Sequence, residues 1–130
     1  PGDIQEYESQ NLQGEFISDN TVTRAKIEPA PFVVIPSIGE VLDFSFSFPE
    51  NSRVVIRILD INGRLITSLV DKFFQEGGTV NRSEEKASWD GRDHLGKIVS
   101  PGTYLMHIEA INWETGRTTS DIAPIVVGVY

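Results

Sequence analysis

The residues that could do chemistry are few, and their spacing limits what they could do. Asp90-Gly91-Arg92-Asp93 sets two carboxylates three positions apart in a glycine-bearing turn. At that spacing Asp90 and Asp93 could hold Ca²⁺ together with backbone oxygens. The D-x-D-x-D-G loop of a high-charge calcium site is absent, and aspartates at turns commonly bond their own backbone. The stretch therefore reads as an Asx-type turn, with Trp89 anchored in the core beside it. His94 lies in this turn, and His107 sits on the outward face of a later strand; they are the two histidines. A nucleophile–base pair would need a serine within hydrogen-bond reach of one of them, and no G-x-S-x-G elbow presents one. The acidic residues are spread over turns and outer faces rather than paired across a cleft, as glycoside hydrolysis requires. Gly77-Gly78 lacks the Lys-Ser/Thr of a phosphate-binding loop. The expectation is no catalytic set, no cofactor and no metal, with Asp90 and Asp93 as the weak metal candidates. Trp113, at a turn, and Tyr7, near the start, are the aromatic candidates for contact with sugar or protein. Phe44, Phe46 and Phe48 could form a sugar-stacking platform, but the same two-residue period is what a sandwich core requires.

The composition excludes further classes. The chain has 130 residues and a net charge of −8. Its pI is near 4.6. Nucleic acid and anionic lipid both call for a basic surface, so neither is an expected partner. There is no cysteine, which removes disulfides, thiolate catalysis and iron–sulfur ligation together. Apolar runs such as Phe32–Ile35 are far too short to cross a bilayer. No basic n-region and apolar h-region open the chain, so any signal peptide is expected to be already gone. The length suits one domain with a real core.

The elements that must carry these residues are strands. In Val41–Phe48 (VLDFSFSF), Leu42, Phe44, Phe46 and Phe48 alternate with Asp43, Ser45 and Ser47, which predicts one buried and one wet face. Arg53–Leu59 follows the same rule, with Val54, Ile56 and Ile58 inward. Asp60-Ile61-Asn62-Gly63 predicts a tight hairpin turn of the primed type, and Arg64–Val70 the return strand. Asp71–Lys86 reads as a long exposed loop with Phe73 or Phe74 folded back. Ala87–Trp89 is a short strand, and Thr103–Asn112 a long one with Tyr104, Met106, Ile108 and Ala110 on one face. The last strand or strand pair starts at Thr118, with Pro124 forcing an edge, a bulge or a break. Residues 1–28 read as an arm or linker, with a weak hairpin at Glu15–Ile27 around Asp19-Asn20. Residues 29–130 read as the compact domain. No helical period persists, so the expectation is an all-β, antiparallel immunoglobulin-like sandwich of about 7–9 strands.

Five landmarks in order resemble a known family. They are the opening Pro29-Ala30-Pro31-Phe32, then Phe44–Phe48 leading into Pro49-Glu50, and Val54 through Asp60-Ile61-Asn62-Gly63-Arg64. Trp89-Asp90-Gly91-Arg92-Asp93 with Gly96 follows, and then Pro101-Gly102-Thr103-Tyr104. This order resembles the bacterial FlgD-like immunoglobulin-like domains, named for the flagellar hook-capping protein. The resemblance spans Pro29–Ala110 and makes Phe44, Phe46, Asn62, Gly63, Trp89, Asp90, Gly91, Gly102 and Tyr104 the fold-defining residues. A looser resemblance is to the C-terminal sorting domains of type IX secretion cargo, although the basic final strand expected there is missing. The resemblance, with the lack of a catalytic set, implies a non-catalytic structural or assembly module of a secreted or cell-surface bacterial protein. Separately, Phe16, Ile17, Val22 and Ile27 make residues 1–27 β-capable, so this arm is expected either to be a linker or to add as a strand to an open sandwich edge, its own or a neighbour's, the latter building a filament or surface layer. The expected partners are protein: neighbouring domains or like subunits. The alternatives are an accessory module that binds carbohydrate or protein for a secreted enzyme and, from the looser resemblance, a type IX secretion sorting domain.

Overall fold

The computed structural model describes residues 16–81 and 87–129. Tyr7, Arg82-Ser83 and Glu84-Glu85 lie outside the described residues. The two-residue period of the phenylalanines sets the architecture. Leu42, Phe44, Phe46 and Phe48 are all buried, and the residues between them are half-exposed. Each such side chain, once inside, contributes about 1.5–3 kcal/mol relative to exposure.

Among the described residues the chain forms ten strands and one short 3₁₀ turn. The strands are β1 (Phe16–Ser18), β2 (Lys26–Pro29), β3 (Val33–Val34), β4 (Leu42–Phe48), β5 (Ser52–Asp60), β6 (Leu65–Phe74), β7 (Gly78–Val80), β8 (Ser88–Trp89), β9 (Gly102–Asn112) and β10 (Thr118–Val127). They make two five-stranded sheets. The first runs β1-β7-β4-β2, with β8 also on β4, and the second runs β3-β10-β9-β5-β6. The inner faces share one hydrophobic core in which Phe44 and Phe48 meet Ile56, Met106 and Ile108. The protein is all-β with a sandwich-like arrangement.

Several local expectations change. The second sheet is mixed rather than wholly antiparallel, because β3 lies parallel to the end of β10. The N–H of Val126 donates to Phe32 O at 2.8 Å and that of Gly128 to Val34 O at 2.9 Å. By parity, the nitrogen of Pro124 also points away from β9, beyond the end of β3, so a proline costs no ladder bond there. β10 consequently runs through Pro124 without a break.

The stretch Glu15–Ile27 is not a hairpin. β1 pairs with β7 and β2 pairs with β4, at opposite edges of the first sheet. Packing decides this: Phe16 stacks 6.0 Å from Phe48, while Ala25 and Ile27 fill the core at the other edge. Two strands of the sandwich thus lie between Phe16 and Pro29.

Of the expected loop Asp71–Lys86, most of the described part, up to Asn81, is strand. β6 continues to Phe74, and β7 pairs with both β1 and β4. Phe73 and Phe74 point to opposite faces, as neighbours on a strand must. The Phe74 ring centroid lies 4.1 Å from that of Phe48.

The turn after β5 is of another type. Gly63 N–H donates to Asp60 O and Asp60 N–H to Arg64 O, both at 2.9 Å. Gly63 has φ 84°, while Asn62 is not among the positive-φ residues. This is a type I turn closed by a glycine bulge, not the primed turn, which needs positive φ at both central positions.

Candidate contact surface

The residues that suggested chemistry serve the turns that hold them. Asp93 Oδ1 accepts the N–H of Leu95 at 2.9 Å and of Lys97 at 3.0 Å. The Lys97 amide is the main reason its carboxyl titrates below the usual aspartate range. Asp90 Oδ1 accepts the N–H of Arg92 at 3.2 Å, and its second oxygen lies 3.7 Å from the Arg92 guanidinium. Between them Gly91 adopts φ 79°, and a Cβ there would come within 2.2 Å of the Pro36 ring. Trp89 is buried under this turn and donates its indole N–H to Arg92 O at 2.9 Å. His94 is exposed; its backbone N–H donates to Ile66 O at 3.1 Å. Among the described residues no three His, Asp or Glu side chains gather where they could hold a metal ion. His107 sits on the outward face of β9, paired across from Arg57 and Ile122.

Tyr104 extends the same logic into the core. Its ring packs edge-on to Trp89 with centroids 6.1 Å apart, and its hydroxyl donates to Ser100 O at 2.7 Å. Burial, with the Asp60 charge as a smaller cause, pushes this phenol above its ordinary value. Gly102, two residues before it, opens β9 at φ 148°.

A cleft of about 230 Å³ opens at one end of the sandwich, lined in part by Asn20, Glu50, Ser52, Asn112 and Arg117. Most of its polar groups already have backbone partners. Asn20 Oδ1 accepts Gly77 N–H at 2.7 Å, and Ser52 donates its hydroxyl to Pro49 O at 2.7 Å. Asn112 Oδ1 accepts the N–H of Glu114 at 2.8 Å and of Thr115 at 2.9 Å.

Two of the sheet edges, at β2 and β6, are protected. At the start of β2, the preceding Ala25 donates its N–H to Thr119 Oγ1 at 2.9 Å and Ile27 N–H donates to Asp121 Oδ2 at 3.0 Å. Side chains of β10 thereby serve the backbone of the opposite sheet and close that side. β6 is the long edge on the other side. Its register slips twice against β5, leaving Ile66 and Leu69 without direct partners. Such bulges blunt an edge against further pairing. Lys72 also stands opposite the inward-facing Val54, with its ammonium 5.3 Å from the Phe74 ring. An inward-pointing charge on an edge strand has the same effect.

The outer face of the second sheet is open. Its side chains fall into rows across β6, β5, β9 and β10, given by the strand registers. An apolar row, Leu65-Leu59-Leu105-Pro124, crosses all four strands. Two middle rows follow, Ser68-Arg57-His107-Ile122 and Asp71-Val55-Glu109-Ser120. The row at the far end is Phe73-Arg53-Ile111-Thr118, with Trp113 beyond it. Arg53 binds Asp71 through two hydrogen bonds of 2.9 and 2.7 Å, which lowers the Asp71 carboxyl below its usual range. Arg57 lies 3.7 Å from Glu109. These four long side chains surround Val55, which is buried although it points outward. Leu65, Ile122 and Phe73 are 53, 49 and 64 % exposed.

Trp113, singled out by the sequence, is 45 % exposed at the end of this face. Its ring meets Phe73 edge-on, with centroids 5.7 Å apart and planes at 61°. Phe73 was the partner that sequence reasoning missed; reading DKFF as strand would have sent it outward. No protein-family model matches the chain, and the search of curated proteins finds no match.

Proposed function

We propose that the chain is a non-catalytic, immunoglobulin-like structural and assembly module of an exported or cell-surface bacterial protein. The ordered sequence landmarks support the immunoglobulin-like part. So does the bond from the Tyr104 hydroxyl back to Ser100 O near the start of β9, since a tyrosine corner of this kind recurs in such sandwiches. The observation that carries the assembly reading is the outer face of the second sheet. Apolar side chains cross four strands there, and the charged groups on the face are paired with one another. Contiguous exposed apolar surface on a soluble fold marks a contact site. The stitched edge at β2 and the bulged edge at β6 favour contact through this face over strand addition.

The second reading is a sugar-contacting accessory module, favoured by the exposed Phe73–Trp113 pair. At 61° the two rings offer no common plane, so a sugar ring would stack on one of them at a time.

One experiment separates these readings. The chain and Trp113→Ala are tested on a glycan array and in turnover screens with esters, glycosides and phosphates. No turnover and no glycan retention are expected. Turnover overturns the proposal in favour of an enzyme. Glycan retention that is lost in Trp113→Ala overturns it in favour of the accessory module.

A further inference from the structure

We propose that the outer face of the second sheet binds a second copy of the chain, face to face. Each strand would lie over its own counterpart, running the opposite way. This inference rests on the assembly reading above and names the partner.

The argument comes from the order of the rows. Along the strands they run apolar, basic, acidic and aromatic-apolar: Leu59 with Leu105, then Arg57 with His107, then Asp71 with Glu109, then Phe73 with Ile111, between which Arg53 stands bound to Asp71. A two-fold axis lying in the interface, across the strands and between the two middle rows, exchanges the basic row with the acidic row. It also exchanges the leucine row with the aromatic row. Phe73 then faces Leu65 of the other copy, Ile111 faces Leu105, and Glu109 faces His107 beside Arg57, while on β5 the stems of Arg53 and Arg57 lie over Leu59 and Val55. Isologous contacts demand this kind of self-complementarity, since every residue contact occurs twice. Charge points the same way. The chain carries −8, a charge that resists the approach of copies, yet this face holds two arginines against two carboxylates. Copies can therefore meet here without the repulsion that other approaches would bring.

The size is also suitable. Four strands about 4.8 Å apart and about 30 Å of outward-facing strand give roughly 600 Å² of flat area per copy. The total of about 1,200 Å² lies at the low end for a specific interface, which implies a reversible dimer. Stacked sheets with strands nearly aligned pack this way in sandwiches.

The test is sedimentation velocity of the whole chain over roughly three decades of concentration into the high micromolar range. A concentration-dependent dimer is expected. Leu105→Glu places an acid in the leucine row and should weaken the dimer at least about tenfold, with an unchanged melting temperature. Ile122→Asp, at a half-exposed position, repeats the test should Leu105→Glu fail to fold. Glu109→Arg should weaken association, and Arg57→Glu with Glu109→Arg should restore it, because both the internal and the cross-copy pairings are then re-formed. A monomer at every concentration overturns the inference, as does a dimer indifferent to both apolar substitutions. A monomer that binds another polypeptide through this face also overturns it, while leaving the assembly reading in place. Turnover or glycan retention strikes instead at that reading.

Discussion

Asp121 bridges the two sheets, and its removal measures what that bridge contributes. The residue stands on the inward side of β10, opposite Ile108, yet its Oδ2 reaches the N–H of Ile27 in the other sheet at 3.0 Å. Ile27 is 4 % exposed, so its amide has little water to turn to. Hydrogen bonds to charged groups contribute about 1.5–3 kcal/mol, and an orphaned buried donor costs a similar amount. Asp121 itself is half-buried, so water would replace part of the lost bond. Asp121→Ala should therefore destabilise by about 1.5–2 kcal/mol, which for a domain of this size lowers the melting temperature by roughly 5–8 °C. Asp121→Asn keeps an oxygen acceptor and loses only the charge, so its cost should be about half. Thr119→Val removes the neighbouring acceptor of the Ala25 amide and should cost about 1 kcal/mol. Urea unfolding gives the energies, and amide hydrogen exchange locates them. Asp121→Ala should expose the Ile27 amide, and Thr119→Val the Ala25 amide. If Asp121→Ala stays within about 0.5 kcal/mol of the parent and Ile27 remains protected, the two sheets are not joined in this way.

Phe46→Ala should cost about 3–5 kcal/mol by urea unfolding, because Phe46 is buried among Phe44, Phe48 and Phe74, while Ser45→Ala should change little. Equal sensitivity at the two positions would mean the strand phase is wrong by one residue. Gly63→Val should cost about 1–3 kcal/mol, since a β-branched residue resists φ 84°, whereas Asn62→Ala should stay within about 0.5 kcal/mol. A large loss in Asn62→Ala would restore the primed turn. Asp19, Asp60, Asp71 and Asp93 are all held below the ordinary 3.8, chiefly by the Thr21 hydroxyl, the Arg64 amide, the Arg53 guanidinium and the Lys97 amide in turn. Their folded values lie below their unfolded ones, so the stability they bring is present above 3.8 and lost as pH falls through the folded values. Urea midpoints measured down through that window should fall, and a flat profile would contradict the bonding described.

The sequence alone determined whatever depends on near neighbours. Alternation from Leu42 to Phe48, from Val54 to Ile58 and from Tyr104 to Ala110 was enough to assign strands and faces, because a two-residue period has one structural meaning. The glycine turns at Gly63 and Gly91 and the core role of Trp89 were legible for the same local reason, even though the turn type at Gly63 was not. Tertiary structure decided whatever depends on which surfaces meet. The β-prone run at Phe16–Ser18 was legible but its partner was not: it pairs with β7 rather than with Lys26–Pro29, and Phe16 lands on the Phe48 ring. Gly78–Val80, read as loop, is a strand because β1 and β4 flank it. Nothing in the spacing of Thr119 and Asp121 reveals that they serve amides 94 residues away. Nor does any local pattern place Phe73 beside Trp113, or align the leucine, basic, acidic and aromatic rows into one face. That alignment comes from the registers of β6, β5, β9 and β10 together, and register between distant strands is settled only when the core they share closes.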